Sequence, residues 1–144
     1  MHFKLIAAFL MGVCVGCSSE CALTDDLRLF AGDRARDCGS APARSDPAEV
    51  DTCVAEAFEA GEPFIARYER QGVDSKVVAA IASNDEGKVQ LFQWDSAPCG
   101  GSHCAPVTDA RLCEGPALTA ETSDDPRALP ISCERLGLPQ RVCG

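Results

Sequence analysis

Ten cysteines and two histidines are the residues of this 144-residue chain with the most chemistry to offer. A thiol can ligate a metal, attack an electrophile or pair into a disulfide. Structural zinc usually takes C-x2-C pairs or a mixed set of cysteine and histidine. Beyond residue 17 no C-x2-C occurs, and the closest cysteines are Cys99 and Cys104. Gly100-Gly101-Ser102-His103 lies between them. A serine beside a histidine suggests nucleophilic catalysis, but nucleophile, base and orienting carboxylate normally converge from separate elements. No G-x-S-x-G elbow is present either. The segment reads as a glycine turn closed by a disulfide. Asp85-Glu86-Gly87 offers oxygen ligands, yet Lys88 and Val89 interrupt the alternation of a calcium loop, so it reads as a hairpin turn. Asp25-Asp26 and Asp124-Asp125 are neighbours in sequence, whereas two-carboxylate hydrolysis needs its acids across a cleft. They read as a helix start and a solvated loop. No catalytic residue, metal ligand or cofactor is assigned.

Composition narrows the partners. Hydrophobic residues make up 46% and charged residues 24%, which is globular rather than disordered. The net charge of -9 lacks the clustered Lys and Arg that track a phosphate backbone, so nucleic acid is not an expected partner.

Residues 1–16, MHFKLIAAFLMGVCVG, place Lys4 ahead of an unbroken apolar and small run from Leu5 to Val15. Such a run rises about 16 Å as a helix, too short to span a bilayer. A short apolar run behind a basic start is the pattern of a secretory signal peptide. Its end, Cys14-Val15-Gly16-Cys17-Ser18-Ser19, resembles a bacterial lipobox, with Gly16 as the small residue before the modified Cys17. Cys14 stands where that family prefers leucine. The resemblance covers about the first 20 residues. It implies cleavage before Cys17, a diacylglyceryl thioether on Cys17 and usually an amide-linked acyl chain. Two or three chains make a stable membrane anchor where one does not. Ser18 after the anchor implies outer-membrane sorting in a bacterial envelope, facing the periplasm or the exterior.

Cleavage removes Cys14 and lipidation consumes Cys17. Cys21, Cys38, Cys53, Cys99, Cys104, Cys113, Cys133 and Cys143 remain. An even set of exported thiols fits four disulfides. Eight cysteines allow 105 pairings. Cys99 with Cys104 and Cys38 with Cys53 are the near-neighbour choices. Bridges contribute about 2–4 kcal/mol each, which matters where alanine dominates the apolar side chains.

The elements that position these residues are legible in part. Leu23-Thr24-Asp25-Asp26-Leu27 suits a short helix opened by Thr24 and broken at Gly32. Gly39 to Pro47 reads as a loop. Residues 47–60 carry the strongest local signal. Asp46 caps, Pro47 takes the first helical position, and Glu49 completes a capping box. Val50, Cys53, Val54, Ala57 and Phe58 then form one apolar stripe, and Gly61 and Pro63 end it. Cys53 lies on the buried face and should bridge to a segment beneath. Three strands follow, over 63–70, 76–83 and 88–95, with turn residues at 72–75 and 84–87. Short turns predict an antiparallel meander. Its second and third strands are apolar on both faces and should be covered on both. The 47–60 helix would cover one, and the cysteine-rich C-terminal segment the other. Leu129-Pro130-Ile131 and Arg141-Val142-Cys143 are candidate edge strands, and 118–127 an exposed loop.

The expected fold class is therefore α+β. One helix packs on an antiparallel meander of three to five strands, rich in disulfides. The expected organisation is a lipoprotein signal peptide over 1–16, an anchor, tether and N-terminal segment over 17–46, and a disulfide-stabilised domain over 47–144. In element order the domain is loosely similar to cystatin-like and PepSY-like modules, a likeness that transfers no function. In composition it resembles cysteine-rich lipoproteins of high-GC bacteria. The expected function is a lipid-anchored envelope lipoprotein with a non-enzymatic binding or structural domain. Its partners would be the membrane and a protein or small-molecule ligand. Phe92 and Trp94 share one strand face and are either core or a binding patch. Ser102 and His103 would serve the alternative reading, a secreted inhibitor of an extracellular hydrolase presenting the 99–104 loop. A third reading is an envelope enzyme using His103.

Overall fold

The computed structural model describes residues 21–101, 103–119 and 128–144. The signal peptide, Cys17, Ser102 and the Asp124-Asp125 pair lie outside the described residues.

The strongest sequence signal folds as read. Helix α2, Ala48–Ala60, buries Val50, Val54 and Ala57 along the stripe. Asp46 Oδ1 accepts the Ala48 N–H at 3.0 Å, satisfying one orphan donor of the first turn. Glu49 does not close the box, because Pro47 and not Asp46 occupies the cap. Gly61 takes the left-handed conformation at φ +67° and returns its N–H to Phe58 O at 3.1 Å. Strands β2 (Phe64–Gln71), β3 (Lys76–Ser83) and β4 (Val89–Asp95) form the meander in continuous antiparallel register. The 84–88 turn is a hairpin: Asn84 Oδ1 accepts the N–H of Glu86 and of Lys88, and Gly87 sits at φ +72°.

The sheet is larger than expected, and two helices pack on it. Helix α1 (Leu23–Ala31) precedes strand β1 (Arg36–Ala41), both within the segment read as preceding the domain. Strands β5 (Val107–Leu118), β6 (Ile131–Leu136) and β7 (Gln140–Cys143) complete seven strands, ordered β1-β2-β3-β4-β5-β6, with β7 paired to the first half of β5. The expectation of one helix and three to five strands is corrected accordingly. The β1 sequence, RDCGSA, offers no β-branched residue, so nothing in it announces a strand. It pairs parallel to β2 on one side only, with α2 as the crossover. Arg67 holds it there through a bidentate pair with Asp37, at 2.9 and 3.1 Å. That hydrogen-bonded guanidinium keeps the Asp37 carboxyl below the usual range, opposed by partial burial.

The two sheet faces carry separate cores. Phe64, Ala66, Tyr68, Ile81 and Val89 meet Val50, Val54 and Ala57 of α2. Ile65, Ala80, Ala82, Phe92 and Ala110 meet Leu27 and Ala31 of α1. So α1, not the C-terminal segment, covers the second face. The C-terminal segment instead lengthens the sheet, because its alternating Thr108, Ala110 and Leu112 pair edge-on with β4. Small side chains at Ala80, Ala82 and Ala110 admit Leu27, Phe30 and Phe92 between helix and sheet.

Four disulfides lock this arrangement. Cys21–Cys143 ties the residue ahead of α1 to β7, across 122 residues. Cys38–Cys53 joins β1 to α2, the segment beneath the stripe. Cys113–Cys133 staples β5 to β6, and Cys99–Cys104 closes the β4–β5 loop. Their Cα separations, 5.3 to 5.9 Å, are ordinary for a disulfide.

Leu27 is fully buried and Leu29 is 89% exposed on the same helix. Leu27→Ala should destabilise the fold by about 2–5 kcal/mol, and Leu29→Ala by no more than about 0.5 kcal/mol. Urea unfolding with the bridges intact checks both. Equal effects would mean that α1 does not cover the sheet.

Candidate functional site

The β4–β5 loop starts from a side-chain-capped turn. Asp95 Oδ1 accepts the Ala97 N–H at 2.9 Å, and Ser96 Oγ accepts the Lys76 N–H at 2.8 Å, pinning the loop base to β3. The Gly100 N–H donates to Ala97 O, and the Cys104 N–H to Gly101 O, giving two successive turns. Gly100 sits at φ +77°, a conformation that favours glycine. Gly101 matters for space instead. A Cβ there would lie 2.8 Å from His103 Cε1, so its bare Cα lets the imidazole fold back over the loop. His103 Nε2 thereby lies 3.6 Å from Cys99 Sγ. Cys99 and His103 are exposed and Cys104 is half-buried.

This geometry limits the chemistry. Among the described residues no carboxylate pairs with His103, so no base-orienting relay is assembled around it. The donor atoms of Cys99, His103 and Cys104 lie within 4.8 Å of one another. While the two sulfurs are bonded to each other, neither is a thiolate, and only the imidazole can ligate a metal.

The aromatic pair is placed otherwise. Phe92 is 4% exposed beneath α1, its ring edge-on to Phe30 at a centroid distance of 6.0 Å. Trp94 is half-buried, and its indole N–H donates to Cys21 O at 3.0 Å. These side chains seat α1 and the segment leading to it, so they do not form a free binding patch. Asp25 and Asp26 lie in the first turn of α1, where carboxylates favour the positive end of the helix.

Sequence reasoning missed a cleft on the α2 face. It measures about 830 Å³ and is lined by Arg44, Glu69, Arg70, Val77, Ala79 and Gln93 among others. It exists because α2 packs on β1 and β2 and leaves this part of the face uncovered. Its lining comes from the 42–47 loop and three strands, so no contiguous motif marks it. Nearby, Tyr68 donates its hydroxyl to Asp51 Oδ1 at 2.8 Å, tying α2 to the sheet. Burial pushes the Asp51 carboxyl up, the Tyr68 bond pulls it back, and Asp46 adds to the rise. Burial, and then the Asp51 carboxylate, push the Tyr68 phenol far above its usual value, so it stays a donor.

No family model matches the chain, nor does any curated protein or solved structure.

A carboxyl whose folded-state pKa is raised adds stability below its unfolded pKa, and that stability is lost as pH rises through the folded value. The Tyr68 bond offsets the raise at Asp51. Tyr68→Phe should therefore cost about 1 kcal/mol at pH 7, solvent screening of half-exposed Asp51 keeping it small. The cost should fade below about pH 4, once Asp51 is protonated in both states. Thermal unfolding of both proteins across pH reads this. A pH-independent difference would show that the phenol acts through packing alone.

Proposed function

We propose that the chain is a lipid-anchored lipoprotein of a bacterial envelope, carrying a disulfide-braced binding or structural domain. One observation carries this reading: all eight cysteines from Cys21 onward are paired in four bridges. Cys17, the remaining cysteine once a leader over 1–16 is removed, is not needed for any of these four bridges, as a thioether to lipid requires. The set also fits an oxidising compartment, since cytosolic thiol pools keep such pairs reduced. Only Ser18, Ser19 and Glu20 separate Cys17 from bridged Cys21. Four extended residues reach at most about 14 Å, so acyl chains on Cys17 would hold the domain against the bilayer surface. The cleft beside α2, with both charge signs and an apolar floor at Val77 and Ala79, is the binding surface in this reading.

Intact mass of the membrane-extracted native protein tests the proposal. The expected species lacks residues 1–16, carries acyl chains on Cys17, and is eight hydrogens lighter than the reduced chain. Cys17→Ala should move the protein from the membrane to the soluble fraction. A species that begins at Met1 with freely alkylated thiols at positions 21 to 143 overturns the reading.

A further inference from the structure

The four bridges are not equivalent. Cys21 and Cys113 are buried, and Cys38 packs against the α2-side core, so three bridges join elements that packing already holds together. Cys99–Cys104 joins the two ends of an exposed turn and spans five residues. A bridge stabilises mainly by closing a loop of the unfolded chain, and short loops gain least. As a brace this one contributes least of the four. It is also the bridge with an imidazole against a sulfur, at 3.6 Å. Gly101 makes room for that contact.

We propose that Cys99–Cys104 is a redox-active disulfide that exchanges with cysteine dithiols of reduced polypeptides, with His103 stabilising the departing Cys99 thiolate. A substrate thiolate attacks Cys104 Sγ. The S–S bond breaks, its electron pair stays on Cys99 Sγ, and the His103 imidazole, donating an N–H, stabilises the new thiolate. Cys104 is now in a mixed disulfide with the substrate. The second substrate thiolate attacks the substrate sulfur of that bond, and Cys104 leaves as a thiolate. Two electrons have moved from the substrate, now a disulfide, to the protein, now a dithiol. A low-molecular-weight disulfide restores the oxidised protein by the same steps in reverse. Opening this bridge parts no strand and uncovers no core, so the fold persists in both states. The activity concerns a different surface from the cleft and does not need the lipid anchor.

The test uses the full chain with its bridges formed. It is equilibrated with graded mixtures of reduced and oxidised glutathione, quenched with acid, alkylated and peptide-mapped. Cys99 and Cys104 should become labelled at a reductant ratio about tenfold or more below that which opens any other bridge. A synthetic peptide bearing two thiols should be oxidised once per protein molecule, and the double variant Cys99→Ser/Cys104→Ser should leave it reduced while keeping the native circular dichroism and the other three bridges. His103→Ala should slow exchange about tenfold near neutral pH. Opening of Cys99–Cys104 only together with the other bridges, or peptide oxidation by the double variant, overturns the proposal. Superimposable rate profiles for His103→Ala and the native chain overturn the role of His103.

Discussion

Strand β3 carries apolar side chains on both faces, and the architecture follows from keeping both out of water. Ile81 looks to α2 and Ala80 and Ala82 look to α1. A strand buried on both sides needs two covers, and two antiparallel neighbours cannot supply them. The chain supplies one helix before the sheet and one as a crossover between β1 and β2. The two covers are unequal in placement. On the α1 side the helix lies over β2 and β3, with Phe92 of β4 completing the core. On the α2 side the helix lies over β1 and β2, so the surface beyond it is left to Val77, Ala79 and Gln93. The cleft is thus a by-product of where the crossover helix must sit.

The two cores are built from small parts. Ala57, Ala66, Ala80 and Ala82 are fully buried, and aromatic residues make up 6% of the chain. An alanine removes less apolar area from water than a leucine, so the burial contribution per residue is low. The bridges add stability by another route, chiefly by limiting the unfolded chain, and need little core volume. Two of them sit where strand pairing is irregular or short. Cys38 lies between residues 37 and 40 of β1, where the pairing to β2 shifts register. Cys21 and Cys143 hold the outermost turn of backbone to the shortest strand.

Legibility followed the physics of each element. Helix α2 and the β2–β4 meander were readable because apolar period, Pro and Gly stops and turn residues all agreed locally. Strand β1 was not, since Asp37, Gly39 and Ser40 are turn-forming types whose extended state is imposed by β2, Arg67 and Cys53. Strand β5 was hidden by Gly115 and Pro116 near its end, where Glu134 lies across the glycine. The helix at α1 was visible from Asp25, Asp26 and Gly32, but its role was not. Which face it covers depends on Leu27 meeting Ala80 and Ala82 from distant sequence. The same information was missing for Phe92 and Trp94, whose residue types and shared strand face fit a core but leave a ligand patch open. In the 99–104 loop, spacing alone brought Cys99, Cys104 and His103 together. The contact between imidazole and sulfur needed the missing side chain of Gly101, which no motif records.

The Cys21–Cys143 bridge makes the described fold a covalent ring. A protease that cuts one exposed loop, at 72–75 or at 84–87, leaves both fragments attached through that bond. Such a nick produces a two-chain molecule of unchanged outline rather than a lost half. A single cleavage between Cys21 and Cys143 therefore cannot take the domain apart.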